Sequence, residues 1–176
     1  VKSDITVTAE FAANEYTITY YIDGEQYGEV ETHVYGTAIT LRTAPTKDGY
    51  TFSGWSGWTG TSFPSTMPAA NLVINGSYTA VEYTISYNLD GGTNAASNPA
   101  SYTIEAENIS FAAASKTGYF FVGWFDAAEA GEKVTGIKKG STGNVELFAR
   151  WTLLNYSLTY TAGTGGSIEG EASQTV

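Results

Sequence analysis

"YTITYYIDG", residues 16–24, places Tyr16, Ile18, Tyr20 and Ile22 at every second position, with Thr17, Thr19 and Tyr21 between them. A period of two is the signature of a β-strand with one buried face. The Asp-Gly pair at 23–24 favours a tight hairpin turn, because both turn residues tolerate positive φ. The strand is expected to return through "EQYGEVETHVY", 25–35. The phrase recurs as "YTISYNLDGG" from Tyr83 and as "YSLTYTAGTGG" from Tyr156. A self-similarity at about 70 residues decides the architecture before any single motif does.

Two further markers keep step with the first. "GYTFSGW" at 49–55 returns as "GYFFVGW" at 118–124. "ITVTAEF" ends at Phe11, "LVINGSY" at Tyr78 and "VELFARW" at Trp151. Three markers in one order define a unit at 16–78 and a second at 83–151. Residues 1–11 read as the closing strand of a preceding unit, and 156–176 as the opening hairpin of a following, incomplete one. The joints "AANE", "TAVE" and "TLLN" are short, which implies units strung as an elongated array. The chain lacks a Met start and stops at "SQTV" in mid-pattern, so it reads as a piece of a longer protein. Within each unit the expectation is about four strands. "AITLRTAPTKDGY" and "NISFAAASKTGY" have no helical stripe and hold a short helical turn or a crossing loop. The fold class is mainly β, α+β at most.

Composition agrees. Apolar residues make up 42% and charged residues 15%, with 13 Tyr and 20 Gly, which suits half-buried pleated surfaces. Eight Lys and Arg against 18 Asp and Glu give a net charge of −10. That disfavours nucleic acid, which needs clustered cations against phosphate, and anionic membrane surfaces. No apolar run reaches membrane-spanning length. With no cysteine there is no disulfide, thiolate catalysis or Cys metal site.

These markers resemble the Listeria–Bacteroides repeat family, the B repeats of internalin-type surface proteins. The second unit carries nearly the whole family pattern in "YTISYNLDGGT", "SKTGYFFVGWF" and "GEKVTGIKKGSTGNVELFARW". The first is a variant with "APTKDGYTFSGW" and "TMPAANLVINGSY". It lacks the GEKVT segment and has Tyr78 where the second unit has Trp151. The resemblance implies small β-grasp (ubiquitin-like) units in tandem on secreted or wall-attached bacterial proteins. It implies an extracellular or cell-surface location, with a stalk, adhesion or signalling role toward a protein or glycan on host or matrix. It transfers no catalytic residue and no cofactor. The runner-up is an accessory carbohydrate-binding region of a secreted multidomain enzyme.

A search for chemistry supports a non-catalytic reading. His33, the single histidine, lies in the expected return strand of the first unit, and the second unit has none. Glu29 and Glu31 are two apart, hence on one strand face, and suit a solvated surface. "NLDGGTN", with Asn88, Asp90 and Asn94, lacks the terminal Glu of an EF-hand loop and reads as a turn. "GTGG" at 163–166 precedes no helix and is also a turn. Lys47 and Lys116 are the candidates for a Lys–Asn covalent staple.

The recurring aromatics are assigned to the core: Tyr16, Ile18, Tyr50, Phe52, Trp55 and Tyr78 in the first unit, and Tyr83, Ile85, Tyr119, Phe121, Trp124 and Trp151 in the second. Units this small, without disulfide or metal, need large side chains to bury enough surface. Gly54 and Gly123 are expected at a bulge just before the Trp. Candidate ligand contacts are aromatics that break the repeat: Tyr21, Trp58, Phe63 and Phe125. The incomplete ends suggest head-to-tail self-association.

Overall fold

A computed structural model describes residues 3–176 and divides them into two compact units, parted between Val81 and Glu82. Among the described residues there is no helix, and hence none long and apolar enough to cross a membrane.

The first unit is one mixed sheet. Its strands are β1 (Glu15–Ile22), β2 (Glu25–Gln26), β3 (Glu31–Val34), β4 (Tyr50–Ser56) and β5 (Leu72–Ala80). Asp23 (φ 52°) and Gly24 (φ 87°) make the expected two-residue turn, pairing Ile22 with Glu25. The return is split into β2 and β3, both antiparallel to β1. β1 also pairs in parallel with β5, in register Ile18 to Leu72, and β4 lies antiparallel beyond it. First and last strands thus sit side by side at the centre, joined by everything between.

The second unit repeats this plan with β6 (Tyr83–Asn88), β7 (Ser101–Tyr102), β9 (Tyr119–Phe125), β10 (Lys133–Val134) and β12 (Val145–Leu153), ordered β10-β9-β12-β6-β7. β6 and β12 are the parallel pair. β8 (Ile109–Ser110) and β11 (Gly136–Ile137) form a two-stranded ribbon. In the first unit the bridge Ala38–Thr66 and the bond from Met67 N–H to Thr37 O do the same work. Met67 and Ile137 are both buried there, although "TMPAAN" and "TGIKKG" share little.

The crossing segments are loops, not helical turns. Their main-chain polar groups must be satisfied without helical bonds, and the sheet satisfies some of them. Trp55 Nε1–H donates to Arg42 O at 2.7 Å, and Trp124 Nε1–H to Ala112 O at 2.9 Å. Each indole packs edge-on against the tyrosine of the opening strand, Tyr20 at 5.2 Å or Tyr87 at 5.1 Å. Each also meets a phenylalanine, Phe52 at 4.9 Å or Phe121 at 5.3 Å, which in turn meets Tyr78 or Trp151. Two bulges make this possible. Register shifts between Phe52 and Trp55 in β4, and beside Gly123 in β9, so both aromatics face the core although they are three positions apart. Gly54 adopts φ 96° within the first bulge, a conformation that strains any side chain.

Core assignments fall out unevenly. Ile18, Ile85 and Trp124 are buried, whereas Tyr16, Trp55, Phe121, Tyr83 and Trp151 are half-buried and pack against the cores. Tyr50, Phe52 and Tyr78 are also half-buried. Tyr119 departs from its assignment. It opens β9 directly after a turn, is 38% exposed, and carries the Lys116 ammonium on its ring.

The gap in the first return strand is filled by Arg42. Gly28 (φ 73°) turns the chain away, and the guanidinium donates to Tyr27 O, Glu29 O and Glu31 Oε1 at 2.9, 2.6 and 2.6 Å. The second unit solves the same problem with Asn98. Its amide accepts from Ala112 N–H at 2.7 Å and donates to Ala112 O at 3.0 Å.

The ends differ from expectation. Residues 1 and 2 of the expected closing strand lie outside the described residues. Residues 3–14 form no strand, and Ile5, Val7 and Phe11 are 86%, 87% and 93% exposed. Alternation makes a strand only where a neighbouring strand supplies hydrogen bonds, and no ladder reaches these residues. Residues 156–176 do pair, as β13 (Ser157–Thr159) against β14 (Ser173–Thr175), with a turn closed by Gly166 N–H to Gly163 O.

Two predictions follow from the aromatic core. Trp124, 2% exposed, should cost about 3–5 kcal/mol when replaced by Ala. Trp124→Phe, which keeps a ring but forfeits the bond to Ala112 O, should cost less; urea denaturation measures both, and a Phe variant as stable as the parent would deny the hydrogen bond a role. Burial pushes the Tyr87 hydroxyl up to about 12. A raised folded value means its stabilisation is complete below about pH 10, the unfolded value, and is lost as pH climbs toward 12. Melting temperature should therefore fall across that window, and less steeply in Tyr87→Phe.

Candidate functional site

The shared phrase before each Gly-Tyr builds a local device. Tyr50 N–H donates to Lys47 O and Tyr119 N–H to Lys116 O, both at 3.1 Å, closing turns whose third residues, Gly49 (φ 76°) and Gly118 (φ 80°), need positive φ. The turn folds the lysine back over the tyrosine that follows. Lys47 Nζ lies 3.9 Å from the Tyr50 ring centre and 5.2 Å from that of Tyr78. Lys116 Nζ lies 4.5 Å from the Tyr119 ring and 5.8 Å from Trp151. Ammonium groups over ring faces are held by the ring quadrupole. Lys116 also donates to Asp90 O at 2.6 Å and Asp90 Oδ2 at 3.3 Å. Neither lysine contacts an Asn in these bonds, so the covalent-staple idea gains no support.

Only the second unit adds a wall beside this device. On the outer face of its sheet, Phe125 and Phe148 are direct cross-strand partners. By register their counterparts in the first unit are Ser56 and Asn75. Arg150, opposite Gly123, lays its guanidinium 3.8 Å from the Phe125 ring centre. Its Nη2 donates to Ala127 O at 3.0 Å and to Ala130 O. These bonds fasten the 126–131 loop, whose base is closed by Glu132 N–H to Asp126 Oδ1 at 2.7 Å. Arg150 Nε is buried without a hydrogen-bond partner. The result is a cleft of about 500 Å³ lined by Asn88, Asp90, Lys116, Tyr119, Ala128, Phe148, Ala149, Arg150 and Trp151. Trp151 is fixed by its Nε1–H bond to Leu89 O at 3.1 Å and by Gly92, where a Cβ would lie 2.5 Å from the indole.

The aromatics singled out from sequence are not brought together. Trp58 and Phe63 meet each other at 5.6 Å and pack on the first core, so they are not a free platform. Tyr21 is half-buried on the outer face, in register with Gln26 and Asn75. Phe125 is covered on one face by Arg150. The cleft itself escaped sequence reasoning, although apolar residues on the outer face of two adjacent strands were a signal for it. His33 Nε2 lies 3.2 Å from Glu31 Oε2, while Glu31 Oε1 accepts from Arg42 Nε in the clamp. Glu29 is exposed. Among the described residues no cluster of three or more His, Cys, Asp or Glu is placed to hold a metal ion.

Comparison with known proteins decides the family. The model of the Listeria-Bacteroides repeat domain matches residues 16–74 and 83–150. The chain belongs to this family. Internalin H of Listeria monocytogenes is 34% identical over 145 residues, covering 78% of the chain and 25% of that protein. Two proteins of Evansella cellulosilytica named as membrane proteins, one of them Gly-rich, are 29% and 26% identical over 91% and 93% of the chain. The chain spans 24% and 19% of their length, so it corresponds to a quarter or less of each relative.

The Arg150 contacts make a third prediction. Arg150→Ala should release the 126–131 loop while leaving the Trp124 core in place. Amide exchange should rise at residues 127–131 and stay unchanged at 147–149. Uniform acceleration across the unit would instead make Arg150 a core determinant.

Proposed function

We propose that this chain is a non-catalytic tandem-repeat module of a bacterial cell-surface or secreted protein, serving as a spacer and as an adhesion element toward a protein or glycan on host or matrix. The observation that carries this reading is the duplication itself. One architecture, tied together by the same indole-to-loop bond, occurs twice with only Val81 and Glu82 between the last strand of one unit and the first of the next. Such repetition suits a spacer, and neither copy is built around a constellation of catalytic groups. Internalin H and the membrane-protein names of the Evansella relatives support placement at the cell envelope. We read each unit as a helix-less variant of the β-grasp plan, since the first and last strands are parallel and central.

The exposed apolar residues at both ends, Ile5, Val7 and Phe11 and then Tyr156, Leu158 and Tyr160, support head-to-tail association of such pieces or contact with neighbouring repeats. The accessory carbohydrate-binding reading draws on one observation, the aromatic cleft of the second unit.

The test uses the full-length parent in its native cell. Protease added to intact cells should remove an epitope within residues 16–151, and deletion of those residues should lower attachment to immobilised matrix or host cells. Protection of the epitope until the cells are lysed would overturn the surface assignment. Unchanged attachment after deletion would reduce the role to spacing.

A further inference from the structure

We infer that the cleft of the second unit is a binding site for a carboxylate-bearing saccharide. The inference rests on the adhesion reading and names the ligand class for it. A volume of about 500 Å³ lies within the range of small-ligand sites.

The charge pattern selects the ligand. Two of the eight Lys and Arg in a chain of net charge −10 face this one cleft, Lys116 and Arg150. Asp90, the acid that meets Lys116, is 76% exposed, while the Lys116 side chain is 20% exposed. An exposed carboxylate at 3.3 Å is a weak, exchangeable partner. A ligand carboxylate entering the cleft can take its place on Nζ, with Arg150 a second cation lining the same cleft. Tyr119 and Trp151 then offer ring surface to the C–H face of a sugar, and their amphipathic rings suit that contact.

The same residues argue against an acidic peptide. Asp90 and Asn88 remain at the rim. A run of peptide carboxylates would be repelled by Asp90, whereas saccharide hydroxyls donate to its oxygens and to the Asn88 carbonyl. The first unit keeps Lys47, Tyr50 and Tyr78 but has Ser77 at the register of Arg150, so it lacks the second cation. It therefore serves as a control within the same molecule.

The experiment is an amide and indole NMR titration of the whole chain with a trisaccharide of one galacturonate and two galactose units, a neutral galactose trisaccharide and a short polyglutamate peptide. The acidic trisaccharide should give saturable shifts at the Trp151 indole, Tyr119 and Lys116, weakening as salt is raised. The neutral sugar should give none at matched concentration. Lys116→Gln and Arg150→Gln should each weaken binding about tenfold, a change in Kd that is easily resolved, with Trp124 resonances unmoved as evidence of an intact core. Lys47→Gln should leave binding unchanged. Equal response to the neutral sugar, stronger response to polyglutamate, or no shift up to about 10 mM of the acidic sugar would overturn the assignment. Any of those results, alongside lost attachment on deletion in cells, would remove the cleft and leave the adhesion reading standing.

Discussion

An indole N–H bonded to a main-chain carbonyl across the core is the contact on which each unit depends. A sheet with no helix over it has to be closed by loop, and loop carries main-chain polar groups that burial penalises. Trp55 and Trp124 meet both demands at once, with the ring supplying apolar area against Tyr20 or Tyr87 and the N–H fastening the loop at residue 42 or 112. The bulge that brings Phe52 or Phe121 to the same side doubles the aromatic surface without lengthening the strand. The candidate site is then hung on the outside. The lysine turn follows from the strand's entry, and the cleft wall from its exit.

The strands were readable because local pattern and pairing agree. Period-two alternation, Asp-Gly turns and a threefold recurrence all name the same segments, and β1, β4, β5, β6, β9 and β12 lie where those patterns put them. What escaped reading depends on residues far apart in sequence. Arg42 and Asn98 fill corresponding gaps with unrelated chemistry, and nothing in either local sequence shows that a gap exists. Residues 3–14 show the reverse failure, since a strand pattern without a neighbouring strand remains a solvated chain. Tyr119 was assigned by analogy with a strand interior, but a residue straight after a turn stands at the sheet's rim.

The cleft illustrates the limit most plainly. Its two cations, its aromatic partners and its loop come from four separate stretches, each bland alone. The useful contrast is between copies. Where the first unit puts Ser56, Asn75 and Ser77 on its outer face, the second puts Phe125, Phe148 and Arg150. Shared residues build the fold, and the differing outer face is what one copy has and its neighbour lacks.

The central parallel pair carries a further consequence, for how such an array assembles. Ile18 must find Leu72, and Ile85 must find Val145, across nearly a whole unit of chain. Contacts that distant form slowly. In tandem copies the opening strand of one unit can meet the closing strand of the other first, a characteristic misfolding route of repeat proteins. Gly76, where a Cβ would lie 2.5 Å from Phe52, corresponds by register to Ala149, and Tyr78 to Trp151. A crossed pairing would therefore put the wrong volume beside each indole. Divergence between neighbouring copies, at the core residues that touch the tryptophans, would thus disfavour strand exchange.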